Sequence, residues 1–483
     1  MIAHSYTHES PFASLSDIAG KKITVMGLGL NGGGLETVRF FARHGGKVTV
    51  TDMKTREDLA PSVEKILSDP SIPKENVVFH LGNHFMEDFT SADCVVKNPV
   101  VNFAKNEFLQ AAHGQGIPIE SDISIFLRFC KSPIIALSGS KGKPFTAGGI
   151  AFALNAAGFK TFLGGNITVS PLSFLHETDE STPVVLELSS WQLADLRGRK
   201  LLKPKISVLT KIIRDHQNWY DGMESYVADK KLIYADQDKG DFTLIFDDGN
   251  YSRDFAAETK AVVLKYGGED TGDDGGFLRG NNGCIRFSQQ EEICFNEELL
   301  VKGTHNRQNL LAAALVLKIF RLPSPQICKI LAQYTGIEHR LEYFFKYENS
   351  AGIAFEFFND SAATVPEATL AAIEAFPEIV LIAGGTDKNS QFEPLISALK
   401  RCEKVYFLKG SGTDKIKALI GDAGDFPEYS DLQSILRNLH LFLDGFTRPL
   451  PVVFSPACTS FGMFNNEFHR GREFKSAVER EFS

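Results

Sequence analysis

No run of basic residues occurs anywhere in this chain, and its formal net charge is −9 over 483 residues. Affinity for nucleic acid comes largely from clustered Lys and Arg, so a nucleic-acid partner is excluded. Also missing is any C-x-x-C pair. The seven cysteines (Cys94, Cys130, Cys284, Cys294, Cys328, Cys402 and Cys458) are scattered and odd in number, which points to buried thiols in a reduced compartment and away from a zinc site. Met1 to Ala13 lacks a positive segment followed by an apolar core, and no apolar run is long enough to span a bilayer. The expectation is a cytoplasmic protein with no membrane partner. Repeats and low-complexity tails are absent too, and a 43% hydrophobic chain of this length calls for roughly three domains.

What is present is an alternation of strand-like apolar runs with helix-length segments, the pattern of parallel sheets covered by helices. A first block reads as strands at 23–26, 48–51, 94–96 and 117–119, and a second at 134–137, 161–163, 184–188, 206–209 and 243–246. A third has them at 354–358, 379–383, 405–408 and 452–454, while the Gly- and Asp-rich stretch 270–283 reads as a turn or short excursion. The expected fold is α/β in three domains, 1–131, 132–336 and 337–483.

The segment Leu137-Ser138-Gly139-Ser140-Lys141-Gly142-Lys143 follows an apolar run and has the makings of a nucleotide phosphate cradle. Gly139 and Gly142 leave backbone N–H groups to face phosphate oxygens, Lys143 adds charge, and the following helix adds its dipole. ATP is the expected ligand. The hydroxyl that normally follows this lysine to bind Mg²⁺ is replaced by Pro144, then Phe145, with Thr146 the first hydroxyl available. Earlier, Gly27-Leu28-Gly29-Leu30-Asn31-Gly32 forms a G-x-G-x-x-G loop, and the next strand ends at Asp52, where a dinucleotide fold keeps its ribose-binding acid. The plainer reading is a tight turn that glycine permits.

Glu187 closes a buried strand before Leu188-Ser189-Ser190-Trp191-Gln192; ligands of open α/β sheets gather at such strand ends, which makes Glu187 a candidate Mg²⁺ ligand, against the plainer reading of a solvated carboxylate. Asp215 and His216 offer hard and borderline ligands for a second ion, although such a pair is commonly a helix cap with a surface ring. Lys230 and Lys231 read by themselves as a solvated face. Asn306 and Asn309 could recognise an adenine edge, with Thr304 or Asn306 as N-cap the plainer alternative. His339-Arg340, Asn359-Asp360-Ser361, Gly384 to Lys388 and Ser455 to Ser460 fall at strand ends and each alone is ordinary loop chemistry.

Taken in order, G-S-K-G-K, G-G-N-I at 164–167, E-L-S-S-W-Q-L, R-D-H, Y-x-x-x-K, H-N-x-x-N, H-R, N-D-S and S-P-A-C-T-S-F with Arg470-Gly471 resemble the Mur ligase family over nearly the whole chain. The S-P-A-C-T-S-F tail points to its glutamate-adding branch. The resemblance implies a Rossmann-like first domain binding a UDP precursor, a central P-loop-type ATPase domain, and a Rossmann-like third domain contacting D-glutamate. It also implies amide formation through an acyl phosphate, with ATP, two Mg²⁺ ions, UDP-MurNAc-L-Ala and D-glutamate as ligands of a monomer. Lys143, Lys230, His216 and Glu187 would be catalytic, with Glu187, His216 and a carbamylated Lys230 as metal ligands. Gly139, Ser140, Lys141, Gly142, Lys143, Asn306, Asn309, Arg340 and Asp360 would hold ATP. Gly29, Leu30, Asn31, Gly32, Asp52, Asn166, Ser189 and Gln192 would hold the precursor, and Lys388, Ser460 and Phe461 the D-glutamate.

The chain departs from the family at Pro144 (usually Ser or Thr), Lys211 (usually Asn), Ala362 (often Lys) and Gly462 (often Asp). Pro fits the first helical turn sterically. Its lost oxygen can be filled by water, so weaker metal binding is expected. Pro144 and Lys211 together also raise an alternative, a Mur-like binder of nucleotide or precursor with impaired catalysis.

Overall fold

A computed structural model describes residues 8–167, 169–216, 219–296, 298–421 and 426–483. It contains three sheets. The first is wholly parallel, with strands β1 (Lys22–Met26), β2 (Lys47–Asp52), β3 (Val77–Leu81), β4 (Cys94–Lys97) and β5 (Ile119–Glu120) in the order β3-β2-β1-β4-β5. The order reverses beside β1, and a ligand crevice opens at the carboxyl ends of strands around such a reversal. The Gly27 loop leaves β1 at that point.

The second sheet contains β6 (Ile134–Ser138), β7 (Phe162–Gly165), β8 (Val184–Glu187), β9 (Ile206–Leu209), β10 (Phe242–Phe246), β11 (Val262–Tyr266), β12 (Gly275–Arg279), β13 (Asn282–Phe287) and β14 (Gln290–Phe295), in the order β14-β13-β12-β11-β10-β9-β6-β8-β7. Here β6 lies between β8 and β9, both parallel to it. The residues following all three strands are thereby delivered to one edge, and every residue of β6, β8 and β9 is buried, as their unbroken apolar runs require. The third sheet holds β15 (Glu342–Glu348), β16 (Ala354–Asn359), β17 (Val380–Gly384), β18 (Lys404–Leu408), β19 (Glu428–Tyr429) and β20 (Pro451–Phe454), in the order β15-β16-β20-β17-β18-β19, parallel except for the β15–β16 pair. A helix at Leu432–Asp444 covers it, begun by the Asp431 carboxylate accepting the Ser434 N–H at 2.8 Å and burying Ile435, Leu436, Leu439 and Leu443.

The chain divides into two compact units. One runs to Phe277 and adds Ile285–Glu291 and Leu311–Leu322; the other comprises Leu278–Cys284, Glu292–Leu310 and Pro323–Ser483. Within the first unit the first two sheets are tied by a buried ion pair, Lys97 Nζ to Asp195 Oδ2 at 2.8 Å.

The structure corrects the sequence reading at several places. The strand expected at 117–119 is Ile119–Glu120, and the stretch 270–283 contains β12 and the start of β13. Val77–Leu81, Val262–Tyr266, Gln290–Phe295, Glu342–Glu348 and Glu428–Tyr429 are strands that were not anticipated; all but Val262–Tyr266 are edge strands with few buried residues, so their patterns carry little of the apolar signal. Of the cysteines, Cys130, Cys328 and Cys402 are half-buried rather than buried.

Candidate active site

The Gly27 loop is shaped by backbone demands. Gly27, Gly29 and Gly32 have φ of 96°, 56° and 93°, and a Cβ on Gly34 would lie 2.3 Å from the Gly27 carbonyl oxygen, so the turn is open only to glycine there. Asp52 clamps it: Oδ2 accepts the Gly29 N–H at 3.1 Å and Oδ1 the Lys54 N–H at 2.9 Å. Gly32 precedes the helix Gly33–Arg43.

Gly29, Leu30, Asn31, Asn166, Ser189 and Gln192 line a single cavity of about 250 Å³, together with Asn98, Asp122, Ser170 and Trp191. Six of the eight residues expected to hold the precursor are thus brought together, and Gly32 and Asp52 are not on its wall. At the far end, Asn166 donates from its side-chain amide to Glu187 Oε1 at 3.3 Å and from its backbone to the Glu187 carbonyl at 2.8 Å. Ser189 and Gln192 form a capping box for the short helix Ser190–Ala194: Gln192 Oε1 accepts the Ser189 N–H at 2.9 Å, and Ser189 Oγ accepts the Gln192 N–H at 3.2 Å.

The phosphate loop follows β6. Gly139 has φ of 151°, and a Cβ there would sit 1.9 Å from Thr210 Oγ1. The carbonyl of Lys211 accepts the N–H groups of Ser140 and Lys141 at 2.9 and 3.2 Å, and Ser140 Oγ accepts the Ile213 N–H at 3.1 Å. The loop is therefore held by the segment after β9. Lys143 opens the helix Lys143–Ala156, with Pro144 in its first turn, and its Nζ folds back on the Ser140 carbonyl at 3.2 Å. Burial lowers the pKa of Lys143, an effect that the negative charges of Glu187 and Asp215 only partly offset. The Thr146 hydroxyl is buried with no hydrogen-bond partner among the described residues.

Lys230 is not on a solvated face. Only 1% exposed, it donates to the Gly139 carbonyl at 2.7 Å and to Ser138 Oγ at 3.4 Å, with Nζ 4.5 Å from the centre of the Tyr226 ring. Burial and then the Lys143 cation push its pKa down to about 7, against the pull of Asp215, Asp229 and Glu187. At neutral pH a large fraction of this amine is uncharged and nucleophilic. His216 is exposed with φ of 51°, its backbone N–H donating to Asp215 Oδ1 at 3.0 Å and its ring 5.1 Å from that of Trp191. Lys143, Lys230, Glu187 and Asp215 thus form one charge cluster. Asp215 belongs to it on the same footing as Glu187, which its ordinary Asp-His sequence context did not distinguish.

The other expected nucleotide residues lie in the second unit. Thr304 is the first residue of its helix and Asn306 sits within the first turn, its amide donating to the Lys302 carbonyl at 2.8 Å, so Asn306 is not the cap. Asn309 is buried and Arg340 exposed. Asp360 accepts the Ser455 hydroxyl at 2.7 Å and the Leu341 N–H at 3.1 Å, and burial pushes its pKa to about 7. Buried Arg470 fixes the neighbouring loops, donating to the carbonyls of Cys458 at 3.0 Å and Ser361 at 2.7 Å. A Cβ on Gly471 would be 2.2 Å from His339 Nδ1, which accounts for the R-G pair. Lys388 Nζ donates to Thr364 Oγ1 at 3.3 Å, Ser460 is buried, and Phe461 is 66% exposed, its carbonyl accepting from Thr386 Oγ1 at 2.6 Å.

Residues 21–121 match the family model of the Mur ligase MurD-like N-terminal domain and residues 137–317 that of the Mur ligase middle domain. A UDP-N-acetylmuramoylalanine--D-glutamate ligase of Treponema pallidum is 39% identical, with 95% of this chain and 98% of the relative covered. The enzyme of the same name from Borreliella afzelii is 34% identical over 96% and 99%. Among solved structures, UDP-N-acetylmuramate-alanine ligase MurC of Thermotoga maritima matches with TM-score 0.53 at 17% identity, covering 95% of this chain and 99% of that one. MurF ligase of the same organism, in complex with ADP, gives 0.53 at 14% identity over 99% and 98%. These two likenesses establish the fold. The chain belongs to the Mur ligase family, with a MurD-like N-terminal domain.

Proposed function

We propose that this chain uses ATP to join D-glutamate to UDP-N-acetylmuramoyl-L-alanine in peptidoglycan precursor synthesis. One observation carries the reading: a single cavity is lined both by the Gly29 loop and by Asn166, Ser189 and Gln192, and Asn166 on its wall hydrogen-bonds Glu187 of the Lys143 and Lys230 cluster. That layout suits a long anionic precursor whose terminal carboxylate must meet a nucleotide phosphate. The carboxylate attacks the γ-phosphorus, ADP leaves, and the resulting acyl phosphate is attacked by the amine of D-glutamate; the tetrahedral intermediate loses phosphate and a proton to give the amide. Approach of two anions needs positive charge at the point of transfer. Lys143 supplies it from the phosphate loop, with the carboxylates of Glu187 and Asp215 offsetting part of the effect of its burial.

The donor set also fits Mg²⁺, a hard cation that keeps several waters and leans on substrate phosphates. Among the described residues no group of three His, Cys, Asp or Glu side chains forms a ready-made cage. Glu187 would hold one ion and His216 the other, with carbamylation of the Lys230 amine adding an anionic ligand. The metal supplies charge neutralisation at the transferring phosphoryl group. Gly139 to Lys143, Asn306, Asn309, Arg340 and Asp360 contact ATP in this reading, and Lys388, Ser460 and Phe461 contact D-glutamate. The protein works in the cytoplasm as a monomer; among the described residues no helix is long and apolar enough to cross a membrane.

The deciding assay is phosphate release from ATP. The reading requires release only when UDP-MurNAc-L-Ala and D-glutamate are both present; release independent of either, or none with both, refutes it.

A further inference from the structure

The precursor cavity contains a carboxyl that neither glycine loop accounts for. Asp122 opens the helix Asp122–Phe129, capped by Ser121, and lines the cavity, its Oδ2 3.9 Å from where a Cβ on Gly33 would lie and 3.3 Å from Ser170 Oγ. It also lines an adjoining smaller cavity with Gly33, Gly34, Lys97 and Asn98. Its Oδ1 accepts the Ile123 N–H at 2.9 Å, and Oδ2 has a longer contact from Ser170 Oγ at 3.3 Å. A carboxylate has about four acceptor positions, so these two contacts leave capacity on the cavity side. Lys97, a cation acting on this carboxyl, is already bound to Asp195 at 2.8 Å, and burial raises the pKa of Asp122.

An acid in a first helical turn is ordinary when solvated, because it complements the helix dipole. That role does not call for placement on a cavity wall. A bare carboxylate also disfavours anions beside it. The Gly29 loop suits the diphosphate and the Glu187 end suits the reacting carboxylate, so the ligand portion between them is the neutral amino sugar, which carries amide N–H and hydroxyl donors. We infer that Asp122 is a specificity-determining residue for the precursor, its carboxylate accepting a hydrogen bond from an N–H or O–H of the N-acetylmuramoyl unit. This rests on the ligase reading of the cavity.

The test is calorimetric binding to the full chain without ATP, so that nothing turns over, using UDP and UDP-MurNAc-L-Ala as separate ligands. UDP shares the nucleotide and diphosphate but lacks the sugar. Asp122→Ala is expected to bind UDP within twofold of the unsubstituted chain while losing on the order of 10- to 100-fold for the precursor, the worth of one hydrogen bond to a charged acceptor. Asp122→Asn keeps one acceptor oxygen and the same volume, and should lose less. If the alanine variant does not fold, a precursor-specific loss in Asp122→Asn carries the inference. Equal losses for both ligands, or no loss for either, would overturn the role of Asp122. Failure of the unsubstituted chain to bind the precursor would instead overturn the ligase reading itself.

Discussion

Replacing Lys230 by Met removes the amine and keeps most of the side-chain volume, and its effect on stability should depend on pH in a direction fixed by burial. The ammonium is ordinarily lost near 10.5, but here near 7, because 1% exposure and the Lys143 cation penalise the charged form. At about 1.4 kcal/mol per pH unit, holding the ammonium in the folded chain costs on the order of 5 kcal/mol. Its hydrogen bonds to Gly139 and Ser138 and its place over Tyr226 already act against that cost. Because the folded pKa is depressed, the unfolded chain binds the extra proton between pH 7 and 10.5, and native stability rises with pH across that window. The penalty is complete below pH 7. The unsubstituted chain should therefore gain about 2 kcal/mol relative to Lys230→Met between pH 7 and 9. Urea unfolding in CO₂-free buffer can follow this selectively, because Trp191 and Trp219, the only two tryptophans, lie with ring centres 4.9 Å apart within the first unit. Stability curves that run parallel from pH 6 to 9 would refute the argument. The same variant should lose at least about 10³-fold in kcat, so that a gain in stability at pH 6.5 accompanies the loss of turnover.

Other positions give equally direct outcomes. Gly139→Ala places a methyl 1.9 Å from Thr210 Oγ1 at a φ of 151°, and should destabilise the first unit by about 2 kcal/mol or more and raise the KM for ATP; an unchanged KM in steady-state kinetics would contradict the loop geometry. Pro144→Ser restores a hydroxyl beside Lys143 and should lower the Mg²⁺ concentration for half-maximal activity several-fold; coincident saturation curves would show that position 144 does not touch the metal. Lys97→Met removes the cation paired with Asp195, whose side chain is only 8% exposed, and should cost about 3–5 kcal/mol, with much of it recovered in Lys97→Met/Asp195→Leu, as denaturant midpoints would show.

The sequence by itself determined whatever depends on neighbours along the chain. The turn after β1 and the loop after β6 were legible because glycine, lysine and a preceding apolar run specify them within seven or eight residues, and the buried strands β6, β8 and β9 were legible from their unbroken apolar runs. The edge strands Val77–Leu81 and Glu342–Glu348 were not, since half-exposed segments lack that pattern. Only tertiary structure decided the chemical state of the site. Lys230 and Lys231 are adjacent and alike in sequence, yet one is buried under the phosphate loop and the other pairs with Glu258. Asp215 and Glu187 act on the same two lysines from different strand ends, and Asp122 meets the Gly29 loop only across the first sheet. Charge state follows from burial and through-space distance, and neither is a property of residues read in order.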